Sequence, residues 1–199
     1  VRICDEKNVR SYLVLNIILY DEDVSRMREI LDRAKADGVT AVILNDIAAI
    51  QYANDIGLEV HVSTQQNISN IEAVRFFAEF ADVVVLAREL TLEQIAAIHK
   101  QIEEEDIRGP SGELVQIELF AHGALCVASA GTCTMSLALQ NSSANRGACY
   151  QICRRSYRVT DEETGDELTI DNKYVMSPKD LCTIGFLDQI IAAGVRVIK

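Results

Sequence analysis

The sequence lacks an apolar run long enough to span a membrane, and its first residues do not resemble a secretory signal. Both absences predict a cytoplasmic protein whose cysteines stay reduced. The chain has 199 residues, of which 49% are hydrophobic, so it can bury a full core without disulfides. Clustered cysteines in such a chain are interpreted first as metal ligands or catalytic groups, ahead of scattered buried thiols and of disulfides.

Positive charge is also scarce, with 19 Lys and Arg against 30 Asp and Glu and a net charge of -11. This balance argues against a protein that coats nucleic acid through bulk electrostatics. One stretch is an exception, because no acidic residue lies between Asn145 and Asp161 while several arginines do. These arginines could form salt bridges or bind a phosphate or carboxylate of a substrate, and the substrate-binding candidates are Arg146, Arg154 and Arg155.

Short β-branched runs alternate with helical periodicity, which predicts βα units and a parallel sheet. The predicted strands are Tyr12 to Leu19, Ala41 to Leu44, Leu58 to Ser63, Asp82 to Leu86, Leu114 to Phe120 and Val195 to Ile198. The predicted helices are Asp23 to Ala36, Ala48 to Ile56, Ile71 to Phe80 and Leu92 to Glu104. Suitable N-caps are Asp21 or Asp23, Asn70 and Thr91, and suitable helix stops are Gly38 and Gly57.

The alternation fits a doubly wound sheet or a (β/α) barrel, and two features favour the barrel. No glycine-rich dinucleotide fingerprint follows the first strand. Polar residues follow most strands, as in barrel enzymes: Asn16, Asn45, Asp46, Ser63, Thr64, Gln65, Arg88, Glu89, Glu118 and His122. Because a barrel of eight strands needs about 250 residues, we predict a partial TIM-like barrel whose first strands are missing. Residues 1–199 would form one barrel-domain fragment with a cysteine-rich insertion at about 121–180.

Five of the six cysteines lie within one window, at Cys126, Cys133, Cys149, Cys153 and Cys182. Their uneven spacing lacks the paired C-x2-C knuckles of structural zinc ribbons, which favours an iron-sulfur cluster over zinc. Two of them are four residues apart and would share one face if that segment were helical.

Motifs of hydrolytic chemistry are missing, since the sequence has neither H-E-x-x-H nor G-x-S-x-G. A cysteine nucleophile with a histidine base is conceivable, because His122 precedes Cys126 by four residues. The acid-base candidates are Glu118 and His122, although Glu118 could instead be a buried partner of an arginine. Gln65 and Arg88 are candidates for lining a substrate pocket.

The segment from Glu118 to Cys126, continued from Gly131 to Ser136, resembles the signature of the peptidase U32 family. Its pattern E-x-F-x2-G-[SA]-[LIVM]-C-x4-G-x-C-x-[LIVM]-S is met at every fixed position. Residues 61–65, 88–90, 145–149 and 177–182 are similar to further blocks of the family.

This resemblance implies two different activities. The family is named for collagenase-like proteolysis, whereas several members hydroxylate a tRNA wobble uridine, a ribosomal RNA cytidine or the ubiquinone ring without oxygen, using a [4Fe-4S] cluster. By position, the implied cluster ligands are Cys126, Cys133, Cys149 and Cys182, with Cys153 as the alternative to Cys149. Cys4 matches no family position.

We therefore expect an iron-sulfur enzyme that hydroxylates tRNA or rRNA bases without oxygen, with RNA and a related subunit as partners. The alternative is a collagenase-like peptidase acting on a peptide or collagen. A second alternative is a noncatalytic scaffold stabilised by a metal, with zinc as the competing ion.

Overall fold

A six-stranded parallel sheet organises the chain in the computed structural model, which describes residues 1–169 and 180–199. The strands of the structure are β1 (Tyr12–Leu15), β2 (Ala41–Leu44), β3 (Glu59–Val62), β4 (Val83–Val85), β5 (Gln116–Leu119), β6 (His122–Ala124), β7 (Arg158–Thr160), β8 (Glu167–Thr169), β9 (Asp180–Cys182) and β10 (Val195–Ile198). The large sheet has the order β1-β2-β3-β4-β5-β10 and every pair in it is parallel. All six predicted strands are thus present in an α/β fold.

Helices connect most of these strands: α1 (Arg2–Glu6), α2 (Val24–Ala36), α3 (Ile47–Asp55), α4 (Ile71–Ala78), α5 (Leu92–Glu104), α6 (Met135–Gln140) and α7 (Leu187–Ala192). Their starts follow capping chemistry, since Asn70 accepts a bond from Ala73 and Thr91 forms a capping box with Gln94. In the described part of the chain, no helix is long and apolar enough to cross a membrane.

The hydrophobic core lies on one face of the large sheet. Alternate strand residues enter one cluster with the helices, namely Val42, Leu44, Val60, Val62, Val84, Ile117, Leu119 and Val195. A doubly wound sheet has helices on both faces and a reversal of strand order, whereas the strands here follow chain order. A partial (β/α) barrel likewise alternates strands with helices and packs the helices on one face of its sheet.

The opposite face, which we call the inner face, carries contacts between strands that are not neighbours. The rings of Tyr12 on β1 and His61 on β3 have centroids 5.1 Å apart. His61 Nδ1 lies 2.6 Å from Oε2 of Glu118 on β5. Alternate strands lie roughly 9–10 Å apart in a flat sheet. Contacts across the intervening strand therefore favour a sheet that curves toward this face.

The βα alternation is interrupted after β5. Here β6 pairs antiparallel with β9, and β7 pairs antiparallel with β8. The short helix α6 and two 3-10 turns lie between them. This stretch contains the predicted cysteine-rich insertion. Part of the predicted family block at 177–182, namely Ser177, Pro178 and Lys179, lies outside the described residues.

The prediction of the first strand was wrong in its length, because β1 ends at Leu15 rather than at Leu19. The backbone beyond it bonds to loops instead of to a neighbouring strand. The amide of Ile18 donates to the carbonyl of Asn145, and the amide of Leu19 donates to the carboxylate of Asp46. Long-range loop contacts of this kind override the local β-propensity of the sequence.

Gly194, between α7 and β10, has a φ of +95°, and a Cβ there would overlap the ring of His99 on α5. We expect Gly194→Ala to lower the free energy of unfolding by roughly 2–4 kcal/mol, because left-handed strain and overpacking add. The matched control is Gly112→Ala, where φ is +84° with no atom within 4 Å; it should cost about 1–2 kcal/mol. Urea unfolding measures the free energy of unfolding of both variants. Equal losses of stability in the two variants would show that the His99 ring moves aside at little cost.

Candidate functional site

Loops from several strands meet at the carboxyl edge of the large sheet, where the polar residues were predicted to collect. The Nδ2 of Asn16, after β1, lies 3.4 Å from Oγ of Ser63, after β3. Two donors of this edge hold the loop that follows β6. Asn67 Nδ2 donates to the carbonyl of Ala130, and Arg88 Nη2 donates to the carbonyl of Ala128, each at 3.0 Å. The segment carrying the cysteines is thereby fixed above the sheet edge.

Four of the cysteines line one cavity of about 170 Å³, which we call the thiol cavity: Cys126, Cys133, Cys149 and Cys153. Gln65, predicted to line a pocket, contributes to the same wall. Burial raises the pKa of the Cys153 thiol, and the nearby thiols of Cys126, Cys149 and Cys133 raise it further by disfavouring a second negative charge. The structure thus brings together, at one cavity, four thiols from a segment of 28 residues, Cys126 to Cys153.

The donor set of the thiol cavity has the chemistry of an iron-sulfur or zinc site, because thiolates bind both. Within residues 1–169 and 180–199, however, no three His, Cys, Asp or Glu side chains converge as a site for a single ion. By residue type, the four thiols of the thiol cavity match the ligands of either group, and which group they would hold stays a prediction.

Cys182 sits at the end of β9, exposed and opposite His122 in the β6–β9 pair, and it is not among the residues that line the thiol cavity. Cys149 and Cys153 both line the thiol cavity. The predicted ligand set with Cys182, and the choice between Cys149 and Cys153, both stay predictions.

The segment between Cys149 and Cys153 is not a helix, so the condition for a shared helical face is not met. A 3-10 turn ends at Arg146 and another begins at Ile152. Left-handed backbone at Gly147 and Gln151, with φ of +89° and +51°, prevents a continuous helix. Both thiols still face the same cavity because the chain turns between them.

A second cavity of about 220 Å³ adjoins the thiol cavity and shares Cys126 and Gly131 with it. We call it the Arg88 cavity, since Arg88 and His122 line it together with Cys126. Arg88 is half-buried, and its Nε is a buried donor that has no hydrogen-bond partner among the described residues. A thiol, an imidazole and a guanidinium around one cavity can support nucleophilic chemistry on a bound carbonyl. Cys126 belongs to both cavities, which the sequence could not indicate.

Glu118 lies elsewhere, buried on the inner face and outside both cavities. Its carboxylate contacts His61 at 2.6 Å and Lys199 Nζ at 3.7 Å, while Glu59 contacts the other ring nitrogen of His61 at 3.1 Å. Burial lowers the pKa of His61, but the two glutamates outweigh it and the net pKa is raised. The bond from His61, with help from Arg10, lowers the pKa of Glu59. Glu118 is therefore engaged with a histidine and a lysine rather than with an arginine.

The predicted arginines have intramolecular partners or lie at the surface. Arg146 pairs with Asp23 at 2.8 Å and stacks on the ring of Tyr20 at 4.1 Å. Arg154 pairs with Asp180 at 2.6 Å, and Arg155 is exposed. Arg146 therefore ties the segment before Cys149 to the loop before α2. Binding of a substrate anion by these three arginines stays a prediction.

The sequence model of Peptidase family U32 matches residues 1–199. The chain belongs to peptidase family U32. A protein named "Collagenase" from Porphyromonas gingivalis strain W83 is 57% identical over 99% of the chain and 48% of its own length. A second "Collagenase" of that species is 49% identical over 99% of the chain and 54% of its length. The Escherichia coli "23S rRNA 5-hydroxycytidine C2501 synthase" is 36% identical over 94% of the chain and 27% of its length.

The chain spans about half the length of the two relatives named collagenase. These U32 relatives share more identity with it than the RNA-modifying relative does. The order of similarity thus favours the alternative activity of the sequence analysis over its main hypothesis.

The raised pKa of His61 predicts how stability depends on pH. The protonated imidazole stabilises the fold fully below its unfolded pKa of about 6.5, and this contribution is lost as pH rises through the raised folded pKa. We expect the free energy of unfolding to fall as pH rises above about 6.5. In urea titrations, His61→Gln should flatten this fall, whereas Tyr12→Phe, which keeps the neighbouring ring, should retain it. A fall of unchanged slope in His61→Gln would contradict the assignment.

Proposed function

We propose that this U32 chain is part of a peptidase and that peptide bonds are hydrolysed in the Arg88 cavity. The observation that carries the proposal is the 57% identity, over 99% of the chain, to a protein named "Collagenase". The Arg88 cavity supports it, because the thiol of Cys126 and the imidazole of His122 line the same space. Because the chain covers about half of that relative, other parts of a longer protein could contribute to the substrate site.

The proposed hydrolysis follows the general chemistry of a cysteine nucleophile. His122 takes the proton of the Cys126 thiol while the sulfur attacks the carbonyl carbon of a peptide bond. The guanidinium of Arg88, which lines the same cavity, stabilises the negative charge that develops on the carbonyl oxygen. The amine leaves with the proton from His122, and a water then hydrolyses the thioester to return the thiol.

A second candidate function is hydroxylation of an RNA base without oxygen. The specific observation that favours it is the thiol cavity, since a peptidase mechanism has no use for four gathered cysteines. A [4Fe-4S] cluster held there would supply electron transfer. Cys126, Cys133, Cys149 and Cys153 would bind the cluster, and Arg88 would bind an anionic or carbonyl group of the substrate.

For the architecture we propose a partial (β/α) barrel, formed as one domain with the cysteine-rich insertion at about 121–180. The chain order of the strands, the helices on one face and the contacts between alternate strands support it. A cytoplasmic location and an RNA or collagen substrate belong to the same proposal.

One substitution tests the residue that both candidates need, and a second substitution separates the candidates. In the full-length protein, Cys126→Ser should abolish both activities, because Cys126 lines both cavities. Cys149→Ser should spare gelatin cleavage if the enzyme is a peptidase, and should abolish RNA hydroxylation if the thiols hold a cluster. The expected losses are about 10²–10⁴-fold for a group that takes part in the chemistry.

The measurements are gelatin cleavage in vitro and mass spectrometry of RNA from a deletion strain that carries each variant. Cys4→Ser is the matched control, since Cys4 on α1 is distant in sequence from the other cysteines and lines neither cavity. Gelatin cleavage that survives Cys126→Ser would refute the proposed nucleophile.

A further inference from the structure

An apolar cavity of about 310 Å³ adjoins the Arg88 cavity, and we call it the apolar chamber. It lies between the ends of β4 and β5, the helices α5 and α7, and the β6–β9 pair. Its walls include Leu90, Ile95, Leu119, Phe186 and Ile190. Arg88, Phe120, Leu125 and Leu181 line both spaces, so the chamber begins where the Arg88 cavity ends.

The two hydroxyls in the wall of the apolar chamber are already engaged within the chain. Thr91 Oγ1 accepts from the amide of Gln94, and Thr183 Oγ1 donates to the carbonyl of Ala121 at 3.0 Å. The chamber therefore offers little to a polar ligand such as a nucleobase, whose edges need hydrogen bonds. It suits an aliphatic or aromatic group.

Arg88 provides the polar feature at the junction of the two spaces. Its Nη2 is held by the carbonyl of Ala128 at 3.0 Å, which fixes the guanidinium in place. Its buried Nε has no acceptor among the described residues. The guanidinium lines both spaces, and its positive charge attracts an acceptor that enters their junction. A peptide carbonyl is such an acceptor and is linked directly to a side chain.

The size of the apolar chamber sets the class of that side chain. An apolar cavity of about 150 Å³ holds a benzene molecule. A chamber of about 310 Å³ accommodates the ring of a phenylalanine or the branched chain of a leucine with room to spare.

We propose that the apolar chamber is a specificity pocket for a large apolar side chain of a peptide, whose carbonyl lies beside the Arg88 guanidinium at the junction of the two spaces. The inference rests on the proposed peptidase function for its catalytic meaning, since Cys126 and His122 line the adjoining cavity. Leu90, which is half-buried in the wall, is then a specificity-determining residue.

Direct binding tests the pocket without any reaction. Acetyl-phenylalanine amide and acetyl-alanine amide are titrated into the full-length protein and followed by NMR. We expect the phenylalanine compound to bind at least about tenfold more tightly, in line with the discrimination of apolar pockets. Leu90→Trp fills the chamber and should remove this preference. The control is Leu139→Trp, the same change at a residue that is 59% exposed on α6, and it should keep the preference. Equal affinities in the wild type, or a preference unchanged by Leu90→Trp, would overturn the proposal.

Cleavage of peptides that differ only in one residue beside the scissile bond tests the link to catalysis. The wild type should cleave the Phe peptide with a kcat/KM at least about tenfold above the Ala peptide, and Leu90→Trp should reduce that ratio. Selective binding of the phenylalanine amide with no cleavage of any peptide would support the pocket and contradict the peptidase function. Cleavage with no preference, together with equal binding, would contradict the pocket alone.

Discussion

Two hydrogen bonds from the sheet edge to the cysteine-bearing loop hold the candidate site together. Asn67 and Arg88 stand just beyond β3 and β4 and donate to the carbonyls of Ala130 and Ala128. Because the strands are parallel and follow chain order, their carboxyl ends share one edge, and a loop bonded to two of them is held at a defined height. The thiol cavity, the Arg88 cavity and the apolar chamber all lie around this loop. Each proposed activity depends on it.

Cys126 is the point where the two candidate chemistries conflict. As a nucleophile it needs a free sulfur beside His122, whereas as a cluster ligand its sulfur is bound to iron. The collagenase-named relatives favour the first role, and the gathering of Cys133, Cys149 and Cys153 favours the second. One sulfur cannot serve both at once. A protein with a filled thiol cavity would therefore lose the proposed nucleophile, and peptidase activity would belong to the form without metal.

The sequence predicted the regular elements well and the site unevenly. Periodicity located every strand of the large sheet, and local capping chemistry at Asn70 and Thr91 fixed two helix starts. The fourth thiol depended on turns at Gly147 and Gln151, which bring Cys153 to the cavity although the chain there is not helical. The partner of Glu118 was also hidden, because His61 is 57 residues away in sequence and two strands away in the sheet. The curvature of the sheet determines which distant residues meet in this way, and local residue patterns do not indicate that curvature.

The arrangement of the thiols is the central claim, and cross-linking tests it most directly. The full-length protein, purified without oxygen and stripped of metal, is treated with a short reagent that bridges two thiols and is then digested for mass spectrometry. The structure predicts bridges among Cys126, Cys133, Cys149 and Cys153, with Cys4 left unbridged. Bridges that join Cys182 to Cys126 or Cys133 in place of Cys153 would contradict this account and restore the ligand set that the family resemblance implies.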